Sequence, residues 1–243
     1  MPESPPFTTE PSRRLVPPPI VGDAPAFGRA LTLDERRYLV LTAAARLFEH
    51  QGFHGTSMQA IADEVGVTKA ALYHYVDSKE RLLYEIHDTF ISTLLDEAEV
   101  IVNENDDPSA QLRGYIASIF HAVANYRPHV RAFFRDFGSL SPELQERIRA
   151  KRHEYEEKVE ATLKKGGERG VFDLPASSHL ATLFLFGACN WSYQWMHADG
   201  PHTPDELIEV WYALLGKAFA PTFALPCPLA LTAGDATRPR PCR

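Results

Sequence analysis

The chain has 243 residues, of which 44% are hydrophobic and 23% charged, and a formal net charge of −7. That is ordinary for a globular protein with ample core, and the negative charge argues against a nonspecific nucleic-acid coat. No apolar run reaches the roughly 18–20 residues of a membrane span and no basic-then-apolar leader opens the chain, so a cytoplasmic location is expected. Cys189, Cys227 and Cys242 show neither pairing nor metal-ligand spacing, and neither a metal nor a cofactor is expected.

Residues 1–33 hold eight prolines and no hydrophobic period, and 221–243 are similar; both are expected to be disordered arms. Between them the apolar residues recur at helical spacing, so the fold class is all-α. Asp34 is the expected cap of a helix over 35–51, with Leu39, Leu47 and Phe48 on one stripe and Gly52 closing it. Thr56 then caps a short helix over 57–65, Gly66 permits a sharp turn, and Thr68 caps a second over 69–74. Asp77 to Glu80 reads as a capping box opening a long helix that runs to Val102. Further helices are expected near 108–125, 128–138, 142–169, 176–197 and 204–219.

Two short helices joined by a tight turn and packed on a preceding helix make a helix-turn-helix. Residues 34–83 hold six Lys/Arg and seven Asp/Glu, so pattern rather than charge points to DNA. The run Ala44–Phe48, Gly52, Thr56, Ile61-Ala62, Gly66-Val67-Thr68, Leu72-Tyr73 and Lys79-Glu80 resembles the N-terminal domain of TetR-family regulators over about fifty residues. Ala70 departs from the glycine that many members carry. The resemblance implies a DNA-binding domain at 34–83 and a helical ligand-binding and dimerisation domain at 84–220. It also implies that the second short helix enters the major groove of a palindromic double-stranded operator. Lys69, Ala70, Tyr73 and His74 lie on or near that helix's exposed side. Thr56, Ser57 and Thr68 stand at helix starts, which suit phosphate, and Lys79 occupies a family phosphate-contact position.

In the family the last two helices pair with their copies in a homodimer. Here they offer Leu180, Phe184 and Ala188, then Leu207, Trp211, Leu214 and Leu215, although ordinary core would give the same spacing. Family members also bind a small-molecule effector in the second domain. Arg127, Arg131 and Arg135 follow at i, i+4 and i+8 beside Phe133, Phe134 and Phe137, with Phe184, Trp191 and Trp195 later in the chain. Cations beside aromatics suit a ligand with an anionic end and an apolar body, such as an acyl-coenzyme A thioester. That pattern resembles the subgroup of TetR-family repressors that control fatty-acid or steroid-ring degradation. A solvated basic face is the plainer account of the arginines. A multidrug-responsive efflux repressor is the alternative regulator, and a helical adaptor that does not bind DNA is a more distant one. No Gly-x-Ser-x-Gly, His-Glu-x-x-His or Gly-rich phosphate loop is present, so an enzyme is not expected.

Overall fold

A computed structural model describes residues 32–174, 177–197 and 200–219. The arms expected at 1–33 and 221–243 lie almost wholly outside these residues, as do Cys227 and Cys242. The described residues form helices α1 (Leu33–Gly55), α2 (Met58–Val65), α3 (Lys69–Leu72), α4 (Lys79–Glu104) and α5 (Pro108–Arg135). These are followed by α6 (Pro142–Glu168), α7 (Ser178–Asn190), α8 (Ser192–Trp195) and α9 (Pro204–Ala218). None is long and apolar enough to cross a membrane.

The helix starts follow their capping residues, with shifts of one or two positions from expectation. Thr32, not Asp34, caps α1: its hydroxyl accepts from Glu35 N at 3.2 Å while the Glu35 carboxylate accepts from Thr32 N at 2.7 Å. Ser57, not Thr56, caps α2, and Ser78, not Asp77, caps α4. In each case both nearby residues have cap-competent side chains, and at α2 burial of Thr56 leaves the cap to Ser57. Gly52 breaks α1 at φ 76°, where a side chain would be strained, and the chain resumes one further turn to Gly55. Gly66 also takes a positive φ, 79°, in the left-handed helical region of the turn between α2 and α3.

Helix α5 is continuous where two helices are expected. Its backbone kinks at Tyr126, two residues before Pro128, whose ring nitrogen has no hydrogen to donate to the preceding turn. The kink directs the last third of α5 along α1. Helix α4 leaves the helix-turn-helix and packs on α5 and α6, while α7 lies on α6 and α9 on α5. One core therefore runs from Phe48, Ile61 and Leu72 through Leu83 and Phe90 to Tyr115, Leu163 and Leu185.

Candidate DNA interface and effector core

In the helix-turn-helix, Ile61, Ala62 and Leu72 are fully buried, which holds α2 and α3 against α1. This leaves Lys69, Ala70, Tyr73 and His74 exposed together on and just beyond α3. The Ser57 hydroxyl accepts from Ala60 N at 3.0 Å and the Thr68 hydroxyl from Ala71 N at 3.1 Å, so both residues fix helix starts. Two expected phosphate contacts are placed otherwise. Thr56 is buried and its hydroxyl donates to Gly52 O at 2.8 Å, stitching the α1 break instead of facing outward. The Lys79 ammonium donates to Phe53 O and Thr56 O, both at 2.7 Å, and lies 4.4 Å from the Phe53 ring centre. It thus clamps the end of α1, where free carbonyls favour a cation.

The arginine face is also corrected. Arg127 and Arg131 reach Glu49 of α1 at 3.6 and 3.1 Å, and Glu49 is nearly covered by them. Arg135 donates to Glu49 O at 3.0 Å, to Phe48 O, and to Asp136. The three residues share one face, and that face meets the end of α1 at Glu49 and Phe48 O. A further bond joins the units. Ser141 N donates to Glu80 at 2.7 Å, so Glu80 holds the start of α6 instead of completing a capping box. Within the DNA-binding unit and its exit helix, Arg37 and Arg81 converge on buried Glu85 at 2.6 and 2.9 Å. Sequence reasoning missed Glu49, Glu80 and Glu85 because nothing local marks the partner of a distant arginine or helix start.

The expected aromatic set separates into an inner and an outer group. Phe133 is buried against His87 and Phe90, at 5.3 and 4.7 Å between ring centres, and Phe134 stacks on Tyr193 at 4.9 Å. Phe137 stacks on His87 at 5.9 Å, and the Arg152 guanidinium lies 3.9 Å from the Phe133 centre and 4.5 Å from that of Phe137. Burial lowers Arg152 to about 10 and His87 to about 3; the charge of Arg152 reinforces the shift at His87. Phe184, Trp191 and Trp195, by contrast, are exposed on and between α7 and α8, and Trp191 meets Tyr193, the ring on which Phe134 stacks.

The outer group continues into an apolar surface. Leu180, Phe184 and Leu214 are 47%, 56% and 58% exposed, with Leu183, Trp191 and Val210 in the same exposure class. Trp211 is half-buried and donates to Ala188 O at 2.8 Å, which joins α9 to α7. Leu207 and Leu215, expected at an interface, are buried within the chain's own core.

An exposed recognition segment after a glycine turn, followed by a helical domain with an open apolar face, defines a helix-turn-helix regulator. The model for bacterial regulatory proteins of the tetR family matches residues 40–86, and that for the tetracyclin repressor-like C-terminal domain matches 105–218. The crystal structure of the TetR-family regulator PfmR from Thermus thermophilus is 34% identical, with a TM-score of 0.68. That match covers 73% of this chain and 97% of PfmR. The chain belongs to the TetR family of transcriptional regulators. It is also similar to AibR, whose structure was solved with isovaleryl coenzyme A and operator DNA: 26% identity, 76% of this chain, 98% of AibR and a TM-score of 0.67. The transcriptional repressor KstR2 of Mycobacterium tuberculosis is 24% identical over 184 residues, 75% of this chain and 92% of KstR2. These relatives are regulators of transcription rather than enzymes.

Proposed function

We propose that the chain is a cytoplasmic, homodimeric repressor that leaves its operator when an acyl-coenzyme A thioester binds the C-terminal domain. The observation that carries the effector class is the likeness, over nearly the whole of AibR, to a regulator solved with isovaleryl coenzyme A and operator DNA. The arginine face does not carry it, because Glu49 occupies those cations. Lys69, Ala70, Tyr73 and His74 read the DNA, with Ser57 and Thr68 at the helix starts. The exposed Leu180, Phe184 and Trp191 on and after α7, with Leu214 on α9, support dimerisation: so many large apolar side chains are seldom left in water, and two heads are needed to read a palindromic site.

The test is fluorescence anisotropy of the full chain on DNA from the region upstream of its own gene, titrated with acyl-CoA esters of increasing length. Release at micromolar ester, with free acids inactive, is the expected result; no response to any ester overturns the effector class. A Lys69→Glu variant should lose at least about tenfold in operator affinity, since a lost base or phosphate contact removes about 1–3 kcal/mol. Full affinity in that variant would overturn the DNA-contact assignment. Leu214→Arg should shift the sedimenting species to monomer, and an unchanged dimer would remove α9 from the interface.

A further inference from the structure

Leu180, Leu183, Phe184, Gly187 and Trp191 recur at i, i+3, i+4, i+7 and i+11, so they share one side of α7 and its end, and all five are exposed. The buried side is filled by Ala181, Leu185, Phe186 and Cys189. No charged residue occurs from Leu180 to Trp195. Gly187 is the odd member of this strip. Glycine inside a helix lowers its stability relative to alanine, so it asks for a packing reason. Elsewhere the chain supplies one: a Cβ at Gly166 would strike the Phe172 ring, and one at Gly114 would come within 3.0 Å of Ile101. A Cβ at Gly187 would meet nothing within 4 Å among the described residues. Gly216 of α9 is open as well, but it is only half-exposed.

The protomer thus leaves a notch one turn from Phe184 and one turn from Trp191, which are 56% and 63% exposed. Charge narrows what fills it. Helix α9, which also carries open apolar side chains, presents Asp205, Glu206 and Glu209 at its start, with side chains 86%, 61% and 58% exposed. On a two-fold axis each residue meets its own copy, so the start of α9 would face like charge there. The α7 strip has no charged side chain to set against itself. Two copies of a chain with a net charge of −7 meet most favourably on such a neutral strip. With Val210 and Leu214, its open side chains expose several hundred Å², the scale of the roughly 800 Å² that each partner of a stable pair buries.

We propose that α7 crosses its own copy at Gly187, which stands on the two-fold axis of the homodimer. With no side chain at the crossing, the two backbones approach closely. Leu183 and Trp191 lie four residues either side of Gly187, so an antiparallel crossing sets Trp191 of each copy on Leu183 of the other. This rests on the homodimer reading above and adds to it where the axis falls. The axis in turn fixes how far apart the two recognition segments stand when they meet DNA.

The experiment is self-cross-linking of the full chain carrying Cys227→Ser and Cys242→Ser, which leaves buried Cys189 as its native thiol. Gly187→Cys and, separately, Leu180→Cys are added, oxidised with copper phenanthroline and followed on non-reducing gels. A disulfide needs Cα atoms within about 7 Å, so only a residue at the axis can bond to its own copy. Gly187→Cys should become a covalent dimer at least about tenfold faster than Leu180→Cys, whose copies would lie about 20 Å apart along the crossing. The protomer has room for the new side chain at Gly187, so the fold tolerates it. Gly187→Leu should raise the dimer dissociation constant in sedimentation at least about tenfold while the helical circular dichroism stays unchanged. Three results would each overturn this inference and leave the homodimer reading standing: linkage at Leu180→Cys as fast as at Gly187→Cys, no linkage at Gly187→Cys in a chain that sediments as a dimer, or parental dimer affinity in Gly187→Leu. A parent chain that stays monomeric at every concentration overturns both.

Discussion

In the helix-turn-helix, Ser57, Thr68, Ser78 and Lys79 each hold a backbone group of their own unit, whereas in the second domain Phe184 of α7 and Leu214 of α9 stay 56% and 58% exposed. The first region is organised by its own hydrogen bonds, so the exposed Lys69, Ala70, Tyr73 and His74 stand on a rigid base. The second leaves large apolar side chains that the described residues do not cover. The contrast separates a part whose job is to keep one shape from a part whose shape is completed by something else. Joining them is a junction of charged groups, Glu49 with Arg127 and Arg131, and Glu80 with Ser141.

The largest expected effect that sharpens this contrast is on the pH profile. Burial lowers His87 to about 3 and His129, assisted by Arg46, to about 4, both far below the usual value near 6.5. Unfolding in acid therefore takes up protons. The stability that these neutral rings support is fully present above pH 6.5 and is lost as pH falls toward 3–4. Between about pH 6.5 and pH 5 the loss is on the order of 3 kcal/mol for the two together, read as a falling urea midpoint, and His87→Leu should flatten the curve. A flat wild-type profile would show that the histidines titrate normally.

Next comes the junction. Glu49→Ala leaves Arg127 and Arg131 facing each other without a carboxylate, and should cost about 2 kcal/mol, less than a fully buried pair because both arginines reach solvent. Denaturant unfolding measures it, and a change below about 0.5 kcal/mol would mean the junction is only a surface pairing. Lys79→Met keeps an apolar stem against Phe53 but drops the clamp on two carbonyls, for about 1.5 kcal/mol in the same measurement. If operator affinity fell while stability held, Lys79 would be a DNA contact after all. The smallest effect is at Thr32→Ala, where loss of an exposed capping box should lower stability by about 0.5–1 kcal/mol without altering effector response.

Much of the first region was legible in the residues, because caps, glycine turns and apolar spacing act within a few positions. Even there the ambiguity was physical. Thr56 and Ser57 are both able to cap, and burial of Thr56 under the α1 break decided for Ser57. Lys79 was visible as a cation at a helix start, but its carbonyl partner Phe53 lies 26 positions earlier. The arginines were legible as one helical face; the carboxylate that meets Arg131 stands 82 positions away.

The amino-acid sequence by itself determined an all-helical chain, the helix-turn-helix with its exposed Lys69, Ala70, Tyr73 and His74, and membership of the TetR family. Those properties depend on local propensity and on spacing along one helix. Only the tertiary structure decided what each face meets. It turned the arginines onto α1, and sent Leu207 and Leu215 inward while Leu180, Phe184 and Leu214 stayed open. A helical period gives the direction of a side chain about its own axis. What lies in that direction depends on residues distant in the chain, and the period is the same for burial within the chain, at an interface or around a ligand.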